Sequence, residues 1–167
     1  MDLDYDVVII GAGPVGGYTA RLLCERGLSV VMVEEHNEVG RPFQCAGLVT
    51  PSAMDAVEAY DTVVEDVDGA LIHGPSGTLV PVGRQGELRT YVVCRKRFDQ
   101  TVVQQGLEAG ADLLLESQPT SAEVKPNGVE IEIINQRTKE TRTLRSKLLI
   151  GCDGAHSWVR RRFKMGH

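Results

Sequence analysis

At 167 residues the chain has one domain's worth of sequence and enough length for a substantial core. Apolar residues make up 42% and charged residues 25%, the balance of a soluble globular protein, while a net charge of −5 and a pI near 5.4 supply no basic face for nucleic acid. No apolar run approaches the roughly 18 residues a membrane span needs, and the acidic start (Asp2, Asp4, Asp6) lacks the basic segment that opens a secretory signal.

Residues 5–35 read as strand, glycine-rich turn, helix and strand, with acids at the end. The run 6–10, apolar after its one polar residue Asp6, suits a strand buried on both faces. Gly11, Gly13 and Gly16 then form G-x-G-x-x-G. The first glycine permits the tight turn, the second lets backbone approach a pyrophosphate, and the third lets helix pack on strand. Pro14 opens a helix to about Arg26 with Ala20, Leu23 and Cys24 on one face, and Gly27 stops it. Residues 30–33 form the next strand. Glu34, 18 residues after Gly16 and followed by Glu35, is placed to bond a ribose 2′-hydroxyl. The pattern indicates a dinucleotide and leaves NAD and FAD both open.

Residues 36–50 are a loop by composition, on the ligand side of an open α/β sheet. Arg41 is a candidate for a phosphate or ribose, and Cys45-Ala46-Gly47 is small enough to admit a flat ring; a solvated connector would have the same composition. A short helix over 51–60 follows, then strands at 62–67 and 70–73, a turn at 75–77, a partner strand at 78–82 and another at 89–94. Arg95 opens a helix that Gly110 ends. Residues 112–116 read as a third buried strand, and 120–125, 129–135 and 141–145 as a meander with an Asn127-Gly128 turn. Residues 147–152 return to a buried strand that runs into Asp153-Gly154. There Asp153 can accept from ribose or ribityl hydroxyls, or cap a helix, and Gly154 allows close approach.

Cys24, Cys45, Cys94 and Cys152 form no C-x-x-C, and with His36, His73, His156 and His167 they make no metal-ligand pattern, so no metal is expected. Buried thiols in a reducing cytoplasm are the expectation, with Cys45 held apart.

GAGPVG with Glu34, Arg95 at its helix start, and LLIGCDGAHSWVRR together resemble the FAD-dependent oxidoreductases of the p-hydroxybenzoate hydroxylase fold. Within them, GRPFQCAGLV (Gly40, Pro42, Cys45, Ala46, Gly47) is similar to a segment of the geranylgeranyl reductases, which saturate isoprenoid double bonds. The resemblance implies a three-layer α/β, Rossmann-like FAD-binding fold over residues 1–167. Its parallel sheet should run 112–116, 29–34, 5–10, 147–152, with the meander as crossover and residues 69–94 as an insertion in a substrate-side second sheet. It implies FAD held by Gly11, Gly13, Pro14, Gly16, Glu34, Glu35, Arg41, Cys45, Ala46, Gly47, Arg95, Asp153 and Gly154, and makes Cys45 a candidate catalytic residue. A prenyl-lipid substrate, an NAD(P)H or ferredoxin electron donor and a cytoplasmic enzyme in peripheral contact with the inner face of the membrane follow from it. The family's second glycine-aspartate motif has no match before His167, so the chain is expected to be the N-terminal part of a longer enzyme, with an unpaired sheet edge. An aromatic monooxygenase or halogenase-like enzyme, a weakly binding fragment, and an NAD-dependent dehydrogenase are the alternatives.

Overall fold

The computed structural model describes residues 2–43, 45–84 and 86–166; Gln44, in the expected loop, and His167, one of the four histidines, lie outside them. Two compact units divide the chain, Met1–Arg41 with Asp99–His167, and Pro42–Phe98.

The first unit is built on β1 (Tyr5–Ile10) and β2 (Val30–Val33), whose side chains from Val7 to Ile10 and from Val30 to Val33 are apolar on both faces. Val7, Ile9, Val30 and Met32 pack on one face with Ala20 and Val103; Val8, Ile10, Val31 and Val33 pack on the other with Ile131, Leu144 and Val159. Each such side chain contributes about 1.5–3 kcal/mol relative to exposure, which is why a run without polar alternation is stable only in this central position. The six-stranded sheet runs β8-β2-β1-β11-β10-β9, where β8 is Asp112–Leu114, β9 Ser117–Lys125, β10 Gly128–Asn135 and β11 Thr141–Gly151. β8, β2, β1 and β11 are mutually parallel, in the order expected, and β9–β11 form the antiparallel meander. Helices α1 (Pro14–Cys24) and α3 (Arg95–Glu108) contribute Ala20, Leu23, Val103 and Leu107 to one core, while the meander and α4 (Trp158–Arg162) fill the other.

Two boundaries differ from expectation. Strands expected at 141–145 and 147–152 are one strand. β11 pairs antiparallel with β10 as far as Ser146 and parallel with β1 from Ser146 onward. No Gly or Pro interrupts residues 141–150, and Ser146, fully buried, spends its hydroxyl on Leu148 O at 2.9 Å. Beyond Ser146 this strand has β1 on one side and no strand on the other among the described residues, and Leu148 is 51% exposed. The strand expected at 112–116 stops at Leu114, because Glu116 turns at φ +53° and Ser117 N–H bonds Glu34 O.

Pro14 begins α1, where a missing N–H costs nothing, and Gly27 (φ +79°) ends it as Leu28 N–H reaches back to Leu23 O. α1 meets α3 through glycines: a Cβ on Gly17 would lie 2.8 Å from Val103 Cα, and one on Gly106 2.9 Å from Gly17 O.

In the second unit, β3 (Leu48–Val49), β7 (Thr90–Val93) and β4 (Val63–Val67) form an antiparallel sheet in the order β3-β7-β4. Helix α2 (Pro51–Val57) is capped by Thr50, whose Oγ1 accepts from Ala53 N–H, and Tyr60 meets Tyr91 edge-on at 5.9 Å. β5 (Gly69–His73) and β6 (Leu79–Gly83) make a separate hairpin. The stretch 69–94, expected as one insertion, is thus split between two sheets of a wider unit. The hairpin carries Leu71, Ile72, Leu79, Val80 and Val82, all exposed. Gly74 N–H donates to Thr78 O, so the hydrogen-bonded pairs continue as Ile72/Val80 and Ala70/Val82. Pro81 therefore sits at a non-bonded pair, and its missing N–H lies on the outer edge of β6, while the outer edge of β5 keeps its donors.

Candidate functional site

The site lies at the C-terminal ends of three adjacent parallel strands, β2, β1 and β11. Gly11 leaves β1 at φ +98°, which only glycine adopts easily, and its N–H bonds Val33 O at 2.8 Å. A Cβ there would lie 2.5 Å from Cys152 O, so the turn presses against the end of β11. Gly16 is equally constrained, with a Cβ falling 2.1 Å from Gly11 O. Gly13 is different: a Cβ there would meet nothing within 4 Å. It stands at the N-cap of α1 without a capping side chain, so the first-turn N–H groups of an 11-residue helix have none to satisfy them. This is the arrangement that suits a phosphate, by N–H donation and by the helix dipole, at about 0.3–1 kcal/mol for the dipole alone.

Glu34 closes one flank. Its Oε2 accepts Ala12 N–H from inside the glycine turn at 2.9 Å, and its Oε1 accepts His36 N–H at 3.0 Å and meets His36 Nδ1 at 2.6 Å. The Glu34 side chain is 13% exposed. Oε2 carries one in-chain donor and so retains a lone pair for a hydroxyl. Asp153 closes the other flank, with its N–H beside Gly11. Its Oδ2 accepts Trp158 N–H at 2.6 Å and Val159 N–H at 3.1 Å, and Ser157 Oγ caps Arg160 N–H at 2.9 Å. Half of this carboxylate therefore organises α4, and the capping role holds. Oδ1 is buried with no partner among the described residues, an orphan acceptor of the kind a hydroxyl would satisfy.

The first unit thus brings together Gly11, Gly13, Pro14, Gly16, Glu34 and Asp153. Gly154 adjoins them at φ +71° with open space at its Cβ. Glu35 is exposed, and Arg41 pairs with Glu38 at 3.2 Å. Cys45, Ala46, Gly47 and Arg95 belong to the second unit. Gly47, at φ +79°, has a packing reason of its own: a Cβ would lie 2.6 Å from Val93 O, and Val93 N–H donates to Gly47 O. Cys45 and Ala46 are exposed, and the Arg95 guanidinium sits 6.0 Å from the Phe98 ring centre. The cysteines depart from expectation, since Cys24, Cys94 and Cys152 are half-buried rather than buried. Burial raises the Cys24 and Cys152 thiols above the ordinary range, and Thr19 partly offsets this at Cys152, which makes them poor nucleophiles.

Sequence reasoning missed four participants. Ala12 contributes through its N–H, which no side-chain pattern displays. Gly17 and Gly106 set the approach of α1 and α3; the adjacent glycines at 16 and 17 were the available signal. His36 was set aside among histidines without a metal pattern; the bend that follows β2 turns it back onto Glu34, and no sequence pattern displays that bend.

A family model described as an FAD binding domain matches residues 4–166. Digeranylgeranylglycerophospholipid reductase 1 of Methanococcoides burtonii is 35% identical over 94% of this chain and 39% of its own. The digeranylgeranylglycerophospholipid reductase of Methanocella arvoryzae is 32% identical over 96% of this chain and 42% of its own. Among solved structures, a geranylgeranyl bacteriochlorophyll reductase-like protein from Thermoplasma acidophilum superposes with a TM-score of 0.80 at 27% identity, covering 90% of this chain and 39% of that one. A flavin-dependent monooxygenase solved with FAD and substrate superposes with a TM-score of 0.80 at 20% identity, over 98% of this chain and 33% of its own, a likeness of fold. The chain therefore spans about two fifths of the length of the curated relatives it matches.

Proposed function

The chain belongs to the FAD-binding domain family, and from that premise we propose that it is the FAD-binding part of a reductase that saturates double bonds of isoprenoid lipids. The observation that carries the reading is the pairing of an open, uncapped glycine turn between two carboxylates with relatives named as digeranylgeranylglycerophospholipid reductases at 35% and 32% identity. The residues present fit the cofactor: Gly13 has the space for it, the α1 N-terminus the donors, and Glu34 Oε2 and the orphan Asp153 Oδ1 the acceptors.

The role of the chain is to bind, orient and polarise. The α1 N–H groups receive the pyrophosphate, Glu34 the adenosine ribose, and Asp153 Oδ1 a hydroxyl nearer the ring. Arg95 and the Cys45–Gly47 segment are assigned to the flavin side, with Cys45 as a group that shapes or protonates there. When bound, FAD supplies the hydride chemistry of alkene reduction. NAD(P)H or ferredoxin serves as electron donor, and a prenyl-lipid substrate implies work at the inner face of a membrane. No described helix is long and apolar enough to cross one.

Two measurements test this. Purified chain mixed with FAD and desalted is expected to keep flavin absorbance near a 1:1 ratio; a colourless chain would reject cofactor retention by these residues alone. The longer parent protein, given reduced flavin and a geranylgeranyl lipid, is expected to yield saturated lipid by mass spectrometry. Absence of product, with substrate-dependent oxygen consumption instead, would replace the reductase by a monooxygenase.

A further inference from the structure

His36 lies outside the glycine fingerprint, yet it touches the residue that fingerprint depends on. Its Nδ1 is 2.6 Å from Glu34 Oε1, and its main-chain N–H bonds the same oxygen at 3.0 Å. Its carbonyl accepts Glu116 N–H at 3.0 Å, so its backbone is held from both ends. An ionised carboxylate only accepts, so the short contact requires a proton on Nδ1. In the neutral ring that choice leaves Nε2 bare, the reverse of the tautomer water favours. Oε1 of Glu34 is thereby occupied twice, while Oε2 holds only Ala12 N–H. A glutamate has three side-chain torsions to fix; the glycine turn holds Oε2 through Ala12 N–H, and the imidazole and main-chain N–H of His36 hold Oε1.

We propose that His36 is a positioning residue and a determinant of ribose recognition. It clamps Glu34 through Nδ1–H so that the carboxylate meets a nucleotide already oriented, with Oε2 as the oxygen that accepts a ribose hydroxyl. The inference rests on the dinucleotide reading of the site and assigns within it a residue that the fingerprint does not include. The ligand class is an adenosine diphosphate with an unphosphorylated ribose, because a fixed carboxylate at this position repels a phosphate on the same hydroxyl.

ADP, the ribose-bearing half of the dinucleotide, is the probe, titrated calorimetrically into the 167-residue chain and its Glu34→Ala, His36→Ala and His36→Asn variants. Nitrogen-15 NMR of the ligand-free wild type reads the tautomer of His36. His36→Ala should weaken ADP by about tenfold without moving the melting temperature. His36→Asn, whose side-chain amide can donate where Nδ1 does, should stay within about threefold of wild type, and the ring should carry its proton on Nδ1. If Glu34→Ala weakens ADP while His36→Ala does not, or the asparagine variant fails like the alanine variant, or the proton sits on Nε2, the clamp is wrong. If ADP does not bind, or Glu34→Ala leaves its binding unchanged, the nucleotide reading itself falls and takes the clamp with it.

Discussion

Three glycines of one turn serve different ends, and substitution separates them. Gly13→Ala introduces a methyl that meets nothing within 4 Å at a backbone φ of −80°, which any residue adopts. Its melting temperature should match wild type while FAD or ADP titration shows binding lost. Gly11→Ala combines φ +98° with a contact of 2.5 Å to Cys152 O, and should cost about 2 kcal/mol or more in denaturant unfolding. Equal destabilisation by the two would remove the argument that Gly13 is kept small for a ligand. Asp6 carries a pH dependence. Lys147 Nζ at 2.6 Å, then Ser29 N–H and Oγ, hold its carboxyl down from 3.8 to about 2. A carboxyl depressed by folding adds stability above its unfolded pKa and loses it as pH falls through its folded one. Its contribution is therefore full above pH 3.8 and drains away toward pH 2. Asp6→Asn should melt lower than wild type at pH 7 and converge with it near pH 2; parallel melting curves throughout would contradict this.

At the scale of elements, what could be read from the sequence depended on whether one segment's pattern had one cause. β1 and β2 were legible because burial on both faces leaves a run of apolar residues, whereas the parallel order came from the family resemblance and matches the observed sheet. β11 was misread as two strands because its side chains answer to two neighbours: alternating beside the half-exposed β10, then continuous beside β1. Asp153 was ambiguous for a related reason. An Asp-Gly after a strand can serve the next helix or a ligand, and here its two oxygens divide between them, one bonded to α4 and one orphaned. His36 was invisible to a search for metal ligands, since its partner is an acid two residues earlier, brought to it by the bend that follows β2. The β5–β6 hairpin carries the prediction that belongs to this scale. Its exposed leucines, isoleucine and valines lie beside a β5 edge that no other strand covers among the described residues, opposite a β6 edge that Pro81 interrupts. Leu71→Lys places a charge on that edge. It should slow concentration-dependent light scattering while leaving the melting temperature unchanged; scattering equal to wild type would show that association proceeds elsewhere.

At the largest scale, the central strand is the first of the described strands and its second neighbour is the last of them. β1 pairs with β2 after a short crossover, but Tyr5 pairs with Ser146. Ending the chain before Ser146 should abolish cooperative unfolding by circular dichroism, because β1, buried on both faces, would lose one entire edge; a cooperative melt near that of wild type would overturn this. The same pairing imposes an order of events during synthesis. A ribosome adding about 5–20 residues per second takes roughly 7–30 s to pass from β1 to the end of β11. For that interval the strand that founds the core stands with an open edge, while the hairpins between them, whose partners are close in sequence, can form early. The glycine turn shares the delay, because the wall it presses against is Cys152 O. The cradle is encoded by the first thirty-odd residues, but it acquires its second side only once Cys152 has emerged, and a nucleotide meeting the nascent protein before then finds half a grip.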